Sequence, residues 1–562
     1  MAMVFNVMIM LLAGSRGAVL SFSAAILIFI IFFVLKKLPP KAKTWGTIIL
    51  ILLLLAILGA YIYLQTPTGK PIQNKLPYLS RFLDFKALTS GLDQRTIPWQ
   101  IAWQGFKERP ISGWGWENYN VVFNKYYQPK FLEWGLAGTW FDRSHNQIMD
   151  FLATSGIVGT LAYLFFYVTI FYLLIRKMKK TEVFTEKLPF LILILMFAAY
   201  FLQNLTSFDA PAPLIVFYLG LGLVYYVTTN YKSDTNIQIT NKNEKLKIAN
   251  CKLKIKNTPP LPLAIFILLI LVSFLTYKSN FIPLEQSSLG LTARSAMRNN
   301  FLNDGLNLFE KSLASGTFIN PEIRMQLAAS LVSVSPTQNM INGGDFYKTI
   351  NVSIAEMKTN TIEHPQDARY WLYSAQLYNF AQLYSFRPGD DLSYSQHAEQ
   401  AIAVGLPLSP KRQQFYFELS QTKINEGKYQ EAIDSSKIAL NFNENASIAH
   451  YNLATVYLEN KQNNLAPTED LALQELEAAA KISASNGDLA FLLNIADTYA
   501  SLNQYNQAIE NRYDKALEVV NQIISHPIFY DQQQKFKDQA YTQKTLYLEK
   551  LNDLGGIRGR SE

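Results

Sequence analysis

Two polar, aromatic segments stand between apolar runs: RTIPWQIAWQGFKERPISGWGWENYN at residues 95–120 and DRSHNQIMDFLATSGIVG at residues 142–159. The whole region 95–159, including the residues between these segments, contains six of the eight tryptophans and, in His145, one of the five histidines. Long apolar runs lie on both sides of it, whereas residues 281–562 have the composition of an ordinary soluble domain. Because this polar, aromatic loop ends in a histidine beside an apolar run, we expect the chemistry of the protein here.

The composition allows a chain of about two or three domains. Of its 562 residues, 49% are hydrophobic and 17% are charged, and the net charge is +8. The lysines cluster in short loops between apolar runs, where membrane topology explains them, so we expect no nucleic-acid partner. The single cysteine, Cys251, excludes an intrachain disulfide and a cysteine-based metal cluster.

Six apolar runs are candidates for membrane spans, each of which needs about 20 mainly apolar residues. They are residues 17–35, 45–64, 157–175, 188–205, 213–227 and 261–277. Lysines and arginines are concentrated in every second connection, which makes those connections cytoplasmic. The alternate connections, including Arg16, the loop 65–155 and everything after Tyr277, are then outside. Residues 1–13 lack a basic start and a cleavage site, so we interpret them as the end of a span that begins upstream.

The second half of the chain shows a helical pattern from about Asn303 and repeats itself with a period of about 34 residues. The repeated positions are Tyr416, Leu419, Gly427, Tyr429, Ala432 and Ala439, then His450, Leu453, Ala454 and Tyr457, then, after an insertion at 463–470, Leu492, Ile495, Ala496, Tyr499, Tyr505 and Ala508, with a looser early copy at Trp371, Ala375, Tyr378, Ala398 and Pro410. They resemble tetratricopeptide repeats, which stack into an α-solenoid that binds extended partners. We expect packing, not metal binding, for His450.

His145 is the first candidate for chemistry. It follows Asp142 and Ser144, either of which could cap a helix that begins near Asn146. A titratable group poised between water and the bilayer, near arginines, suits a general base at neutral pH. The alternative is that His145 only donates a hydrogen bond to a carbonyl group of the loop.

Two arginines are expected on the same side of the membrane as His145. Arg16 interrupts an apolar stretch, which costs a few kcal/mol unless the side chain snorkels or finds an anion. Arg95 begins a predicted amphipathic helix with Trp99 and Trp103 on one face, although a solvated cation remains the alternative. Guanidinium groups bind phosphate oxygens in bidentate fashion, so this set would suit a pyrophosphate.

The segment PISGWGWENY predicts a tight turn instead of a strand. Trp114 and Trp116 in it suit an interfacial belt, which is the safer interpretation, or a platform for sugar rings. With Trp99, Trp103 and Asn146 they are our candidates for sugar or acceptor contact. The sequence has no HExxH, GxSxG or paired-carboxylate motif, so we predict a mechanism without a metal or cofactor.

Four motifs together resemble the O-antigen ligase and polymerase family, which includes bacterial O-oligosaccharyltransferases. They are SRGA at 15–18, R-x3-W-x3-W from Arg95, RPISGWGWENY from Arg109, and SHNQIMDFLATSGIVG at 144–159. The resemblance covers roughly residues 1–230. It implies a multi-pass transferase that moves a glycan from an undecaprenyl-pyrophosphate carrier to a glycan, lipid or protein acceptor outside the bacterial cytoplasmic membrane.

The resemblance also implies roles for single residues. His145 matches the essential loop histidine of the family, and Arg16 and Arg95 match its donor-binding arginines. Family members have more spans than the six found here, which predicts an N-terminally truncated chain that could be inactive alone. Other members also carry tetratricopeptide repeats.

The predicted architecture is all-α, with a polytopic membrane domain followed by an α-solenoid. Its parts are a ligase-like domain at 1–230 with an extracytoplasmic loop region at 65–155, a basic cytoplasmic linker at 231–260, a last transmembrane helix at 261–283, and extracytoplasmic repeats at 284–552. The leading hypothesis is a metal-independent inverting glycan transferase whose repeats bind the acceptor or a protein partner. The competing hypothesis is a non-catalytic, membrane-anchored repeat scaffold for cell-envelope assembly.

Overall fold

The computed structural model of the chain is all-α in the residues that it describes. It describes residues 16–37, 39–64, 66, 68–69, 85–135, 139–209, 211–229, 261–337, 340–341, 344–384, 393–462, 469–502, 512–526, 529 and 534–558. The chain divides into two compact units, which are described separately below. The first unit comprises residues 1–126 and 141–252, and the second comprises residues 127–140 and 253–562. The predicted linker at 231–260 and residues 1–13 lie outside the described residues.

The first unit is built from apolar helices and the helix that precedes the aromatic turn. Its helices are α1 (Arg16–Lys37), α2 (Pro40–Leu64), α3 (Phe85–Glu108), α4 (Tyr119–Lys125), α5 (Gln147–Lys180), α6 (Phe184–Asn204) and α7 (Pro211–Thr229). All five of the predicted spans in this unit are helices, and the sixth is α8 (Leu261–Thr276) of the second unit.

Four helical stretches of the described chain are long and apolar enough to cross a membrane. They are Ala42–Leu64, Gln147–Lys180, Thr185–Asn204 and Phe266–Arg298. Two further apolar helices, Gly17–Ile31 and Pro213–Thr229, are shorter. The outward faces of α2 are almost wholly apolar and exposed, as expected for a surface that meets lipid instead of water.

Aromatic side chains form the core between α5, α6 and α7. Tyr167 of α5, Phe197 of α6 and Phe217 of α7 are all less than a tenth exposed. The ring centroids of Phe197 and Phe217 lie 5.3 Å apart in an edge-on arrangement, and those of Tyr167 and Phe217 lie 6.0 Å apart. This geometry is the one that aromatic pairs prefer. The three helices therefore form a packed bundle.

Helix α5 is interrupted at Gly156, which has φ 63° and ψ −163°. This conformation is essentially restricted to glycine. The break releases backbone groups from the helix, and in an apolar setting each needs another partner. The N–H of Ile157, just past the break, donates to the carbonyl of Pro110 at 2.8 Å. The interruption is therefore closed by the turn that follows α3.

That turn, residues 109–118, contains the glycines of the PISGWGWENY motif, and the structure confirms the predicted turn. The N–H of Trp114 donates to the carbonyl of Ala153 at 3.0 Å, and that of Gly115 donates to Thr154 at 2.8 Å. These are carbonyls that the break in α5 leaves without helical donors. A side chain at Gly113, where φ is 66°, would collide with the backbone of Thr154. The glycines thus allow two backbones to approach closely.

The second unit is an array of paired helices after α8, which supports the repeat prediction. The helices are α9 (Ile282–Arg298), α10 (Leu302–Leu313), α11 (Asn320–Val332), α12 (Asp345–Glu363), α13 (Ala368–Leu383), α14 (Tyr394–Leu408), α15 (Gln413–Asn425), α16 (Tyr429–Phe442), α17 (Ser447–Gln462), α18 (Glu469–Asn486), α19 (Leu489–Leu502), α20 (Arg512–Ser525) and α21 (Gln534–Arg558). Consecutive helices pack against each other as hairpins.

The predicted repeat positions fall where such a hairpin needs them. Gly427, with φ 73°, turns the chain between α15 and α16. Ala432 and Ala439 of α16 are fully buried, which lets the paired helices approach closely. Tyr505, Ala508 and most of the predicted insertion lie outside the described residues.

His450 of α17 is not simply packed, because its ring bridges two polar groups. Its Nδ1 lies 2.5 Å from Glu475 Oε2, and its Nε2 lies 2.9 Å from the carbonyl oxygen of Glu444. Burial, the largest single effect, lowers the pKa of His450, but the hydrogen bonds to Glu475 and Glu444 and the negative charges of these residues together raise it. This side chain therefore ties α17 to α18.

Replacing Gly156 with alanine tests whether the broken helix depends on this glycine. A Cβ at Gly156 would lie 2.3 Å from the carbonyl oxygen of Ile111. We expect Gly156→Ala to lower the free energy of unfolding by about 3 kcal/mol or more, since the conformation alone costs about 1–3 kcal/mol. The measurement is thermal unfolding in detergent.

The matched control is Gly222→Ala in α7, where a Cβ would meet no atom within 4 Å. This control should be neutral or stabilise the protein by up to about 1 kcal/mol, because alanine is the better helix former. Equal stability of the two variants would contradict the assigned role of Gly156.

Candidate active site

His145 lies directly before α5 and is held between two aromatic rings. Its ring centroid is 5.5 Å from that of Phe141 and 5.2 Å from that of Phe208, both in edge-on geometry. The side chain is half-buried. Its backbone is in the left-handed region, with φ 57°. This region is uncommon for a residue with a side chain, and such strain persists where surrounding contacts impose it.

The residues around His145 fix that backbone. Asn146 caps α5, because its Oδ1 accepts hydrogen bonds from the N–H groups of Ile148 at 3.0 Å and Met149 at 3.2 Å. The prediction of Ser144 or Asp142 as the cap is therefore wrong. The Ser144 hydroxyl instead donates to the carbonyl of Asn146 at 2.8 Å. Asn146, which the sequence suggested as an acceptor contact, therefore uses its side-chain oxygen to cap α5.

Asp150, in the first turn of α5, is a residue that the sequence interpretation missed. Its Oδ1 accepts a hydrogen bond from the N–H of Ser144 at 2.6 Å, and the residue is 2% exposed. Its Oδ2 is buried and has no hydrogen-bond partner among the described residues. A carboxylate in the first turn of a helix interacts favourably with the helix dipole. The sequence signal that could have identified Asp150 is its place as the acidic residue in the first turn of the helix, six positions after Ser144.

The connection between α6 and α7 supplies the other wall beside His145. Gln147 Oε1 accepts a hydrogen bond from the N–H of Asp209 at 3.1 Å, which ties this connection to the start of α5. Asp209 Oδ1 in turn accepts from Asn204 Nδ2 at 2.7 Å and from the Tyr200 hydroxyl at 2.5 Å. Phe208 is consequently held against the imidazole.

The electrostatics of the site keep His145 neutral at pH 7. Burial lowers the pKa of His145, and the positive charge of Arg95 lowers it further, whereas Asp142 opposes both. Since the ordinary value is already about 6.5, a lowered pKa leaves the imidazole unprotonated and able to accept a proton. This is the protonation state that a general base requires.

Arg95 lies on α3, close enough for its positive charge to lower the pKa of His145. The side chain is half-buried. Among the described residues, Arg95 makes no ion pair. Arg143 differs, because its guanidinium pairs with the Glu117 carboxylate at 2.5 Å. Of these two arginines, Arg95 is the one whose charge is available to an anionic ligand.

Arg16 is the first residue of α1, and the placement of its neighbour locates it. A Cβ built on Gly17 would lie 2.8 Å from Oγ1 of Thr206, in the connection that also carries Phe208. The start of α1 therefore adjoins the same connection as His145. The structure brings the backbone of Arg16 to this end of the unit.

An apolar groove of about 550 Å³ begins beside this end of α1 and runs between the helices. Its walls come from α1, α6 and α7 and are lined by Ala18, Ser21, Phe22, Ala25, Ile26, Phe29, Ile192, Leu195, Met196, Ala199, Tyr200, Gln203, Val216 and Phe217. Almost all of these side chains are apolar. Such a lining suits a hydrocarbon chain.

The four candidate tryptophans differ in what they can offer a sugar. Trp114 is committed to the protein, since its Nε1 donates to the Gly105 carbonyl at 3.0 Å and the Arg109 guanidinium lies 4.0 Å above its ring. Trp103 and Trp116 are 47% and 57% exposed, so their rings are accessible. Trp99 is half-buried, and its Nε1 has no partner among the described residues.

Comparison with known families finds a match for the first part of the chain. Residues 1–164 match the O-antigen ligase family. This confirms the resemblance inferred from the four motifs, and the matched range contains Arg16, Arg95 and His145. No curated protein matches the chain. Among solved structures, a thermophilic TPR protein of Thermus thermophilus is similar, with 13% identity and a TM-score of 0.26, covering 42% of this chain and 99% of that chain.

The match to the O-antigen ligase family, together with the apolar helices, supports a membrane protein of the glycan-transferase kind. The site described above is consistent with this chemistry in its parts. It has a neutral imidazole, a guanidinium within electrostatic reach, exposed aromatic rings and an adjoining apolar groove. In the described residues there is no group of three or more His, Cys, Asp or Glu side chains that could hold a metal ion.

The coupling between Arg95 and His145 predicts a change in pH dependence. In Arg95→Gln the pKa of His145 should rise, because a nearby positive charge that disfavours protonation has been removed. The acid limb of the kcat/KM profile for glycan transfer should therefore move to higher pH. Arg109→Gln is the control, since Arg109 stacks on Trp114 and is not among the charges that act on His145. An unmoved acid limb in Arg95→Gln would refute the coupling.

Proposed function

We propose that this protein transfers a glycan from an undecaprenyl-pyrophosphate carrier to a hydroxyl group of an acceptor. The observation that carries the proposal is the placement of His145, which is held in a left-handed backbone conformation between two aromatic rings, where burial and the charge of Arg95 lower its pKa. The match of residues 1–164 to the O-antigen ligase family supports it. The acceptor is a glycan, a lipid or a protein.

Arg95 and Arg16 bind the pyrophosphate of the donor in this proposal. As the bond between the anomeric carbon and the pyrophosphate oxygen breaks, negative charge accumulates on the leaving group. Cationic groups placed in advance stabilise that charge most strongly in the transition state. The apolar groove of about 550 Å³ beside the start of α1 would receive part of the isoprenoid chain. Trp103 and Trp116 offer exposed faces for the sugar rings.

His145 removes the proton from the acceptor hydroxyl as its oxygen attacks the anomeric carbon. A new bond forms between that oxygen and the anomeric carbon, the bond to the pyrophosphate breaks, and the proton remains on the imidazole until solvent takes it. Because the carrier is displaced directly, the anomeric configuration inverts. The reaction needs no metal in this scheme, since two guanidinium groups offset the charge of the leaving group.

The proposed location is the outer face of the bacterial cytoplasmic membrane, in a multi-pass arrangement. Basic residues such as Arg176, Lys177 and Lys180 mark one set of connections as cytoplasmic. The connection that carries His145 belongs to the opposite set. The repeat helices follow the last apolar helix on that same side, where they would bind the acceptor or a protein partner.

Substitution of His145 tests the proposal directly. With a purified polyprenyl-pyrophosphate-linked glycan, His145→Ala should reduce transfer by about a hundredfold or more, the usual contribution of a general base. His364→Ala in the repeat unit is the control and should transfer at the wild-type rate. Wild-type transfer in His145→Ala would eliminate the proposed mechanism. Absence of transfer in the wild type would instead favour the membrane-anchored scaffold.

A further inference from the structure

Fourteen residues of the loop that leads to His145 belong to the repeat unit instead of the membrane unit. We call these residues, Tyr127–Trp140, the anchor loop; residues 136–138 of it are not described. It contains a short 3-10 helix, Pro129–Trp134. On both sides of it the chain belongs to the membrane unit. The division expected from sequence placed the anchor loop wholly in that unit.

Arg412, directly before α15, joins the two ends of the anchor loop. Its guanidinium carbon lies 3.5 Å from the ring centroid of Trp140 and 4.1 Å from that of Tyr127, so the cation contacts both rings. Its Nη1 group also donates to the carbonyl of Thr139 at 3.0 Å. The first and last residues of the loop thus share one cation, which is the closed base typical of an Ω-loop.

Burial makes this arrangement specific. Arg412 is completely buried, and burial lowers the pKa of its guanidinium to about 9, so that it remains charged at neutral pH. Its Nε donates to the Ser409 hydroxyl at 3.2 Å. Gln414 Nε2 adds a hydrogen bond to the Thr139 hydroxyl at 3.2 Å. A buried charge is tolerated only with partners of this kind. Removing Arg412 leaves a buried acceptor without its donor, and removing the loop residues leaves buried donors without their acceptors.

The anchor loop also contacts two further turns between repeats. Asn443, between α16 and α17, donates through Nδ2 to Glu133 Oε1 at 3.0 Å and to the carbonyl of Pro129 at 3.3 Å. Asn486, at the end of α18, donates to the carbonyl of Glu133 at 3.4 Å. With Arg412, three successive turns at the same end of the repeat array hold the loop.

Apolar contacts complete the interface. Leu132 is 1% exposed and packs with Ala446 and Ala449 of the repeat that follows Asn443. Trp140 packs on the core cluster that includes Phe415. Both polar and apolar partners are therefore present along the loop, as in a specific interface and unlike a loop that only touches a surface.

We propose that Arg412 is a positioning residue: by closing the base of the anchor loop, it holds the chain that carries His145 in its catalytic geometry. The proposal rests on the proposed function. Phe141 follows Trp140 directly, and its ring packs edge-on against His145. Arg412 therefore contacts the residue that is one peptide bond away from a neighbour of the imidazole.

The strained backbone of His145 gives a physical reason for such a device. A left-handed residue with a side chain costs free energy and relaxes unless its neighbours hold it. Asn146 and Ser144 fix the conformation from the side of α5. The contact between Arg412 and Trp140, which we call the clamp, fixes the conformation of His145 from the side of the anchor loop. Since displacement of a reacting group by about 1 Å can cost about a hundredfold in rate, release of one side should be visible in catalysis.

The first test measures anchoring without activity. Hydrogen exchange of the full-length protein in detergent should show faster exchange at residues 127–146 in Arg412→Ala than in the wild type. The control Arg324→Ala removes the ion pairs of another repeat arginine with Glu356 and Glu363, without touching the loop. Unchanged exchange at residues 127–146 in Arg412→Ala would overturn the proposal, whether or not the protein transfers glycans.

The second test separates positioning from general stability. In Arg412→Ala we expect kcat for transfer to fall by about tenfold to a hundredfold, with the KM for the donor within about twofold. Arg324→Ala should retain wild-type kcat. Equal kcat values in Arg412→Ala and Arg324→Ala would overturn the positioning role. If His145→Ala were fully active, the proposed function would fail, while the exchange result would still decide whether Arg412 anchors the loop.

A double-mutant cycle guards against misfolding of the Arg412 variant. Trp140→Ala removes the ring from the other side of the clamp, and Trp140→Phe keeps an aromatic face. The loss of kcat in Arg412→Ala with Trp140→Ala should be no greater than in the worse single variant, because both disable the same contact. Trp140→Phe should restore most of the rate lost in Trp140→Ala. Additive losses, or no recovery with phenylalanine, would overturn the clamp.

Discussion

The structure of the membrane unit depends on one exchange of backbone hydrogen bonds. Helix α5 breaks at Gly156, and the carbonyls of Ala153 and Thr154 accept from the N–H groups of the turn that follows α3. Neither element satisfies its backbone alone, and in an apolar environment an unsatisfied group is costly. This interaction joins α3, which carries Arg95, to α5, which follows His145. The proposed site therefore depends on Gly113 and Gly156, which allow these two backbones to approach closely.

The charged part of the site and its apolar surface are formed by different residues. The imidazole of His145 lies between Phe141 and Phe208, and burial and Arg95 together lower its pKa. The groove lined by α1, α6 and α7 begins close by and is almost entirely apolar. A donor with a pyrophosphate and a hydrocarbon chain has the same separation of polarity.

The sequence predicted the helical elements well because they depend on local patterns. The six apolar runs are six helices, and the repeat period located the hairpin around Gly427. The details at His145 were less predictable, since Asp142, Ser144 and Asn146 can all cap a helix. The choice of Asn146 follows from Asp150, which accepts from the Ser144 N–H.

The anchor loop had no signature in the sequence, because its partners are far away along the chain. Arg412 follows Thr139 by 273 residues, and no periodicity connects such positions. A buried arginine also contradicts the expectation that arginines lie at the surface. The repeat interpretation predicted the array but not a bound segment of the same chain. In physical terms, patterns report which face of a helix is buried, and they do not report what covers it.

In the proposed mechanism, His145 activates an acceptor for direct displacement of a lipid pyrophosphate. The most direct measurement follows the purified full-length protein with a polyprenyl-pyrophosphate-linked glycan of known anomeric configuration. We expect each transferred glycan to release one polyprenyl pyrophosphate and the product to have the inverted configuration. A product with retained configuration, or release of the carrier without any dependence on the acceptor, would contradict it.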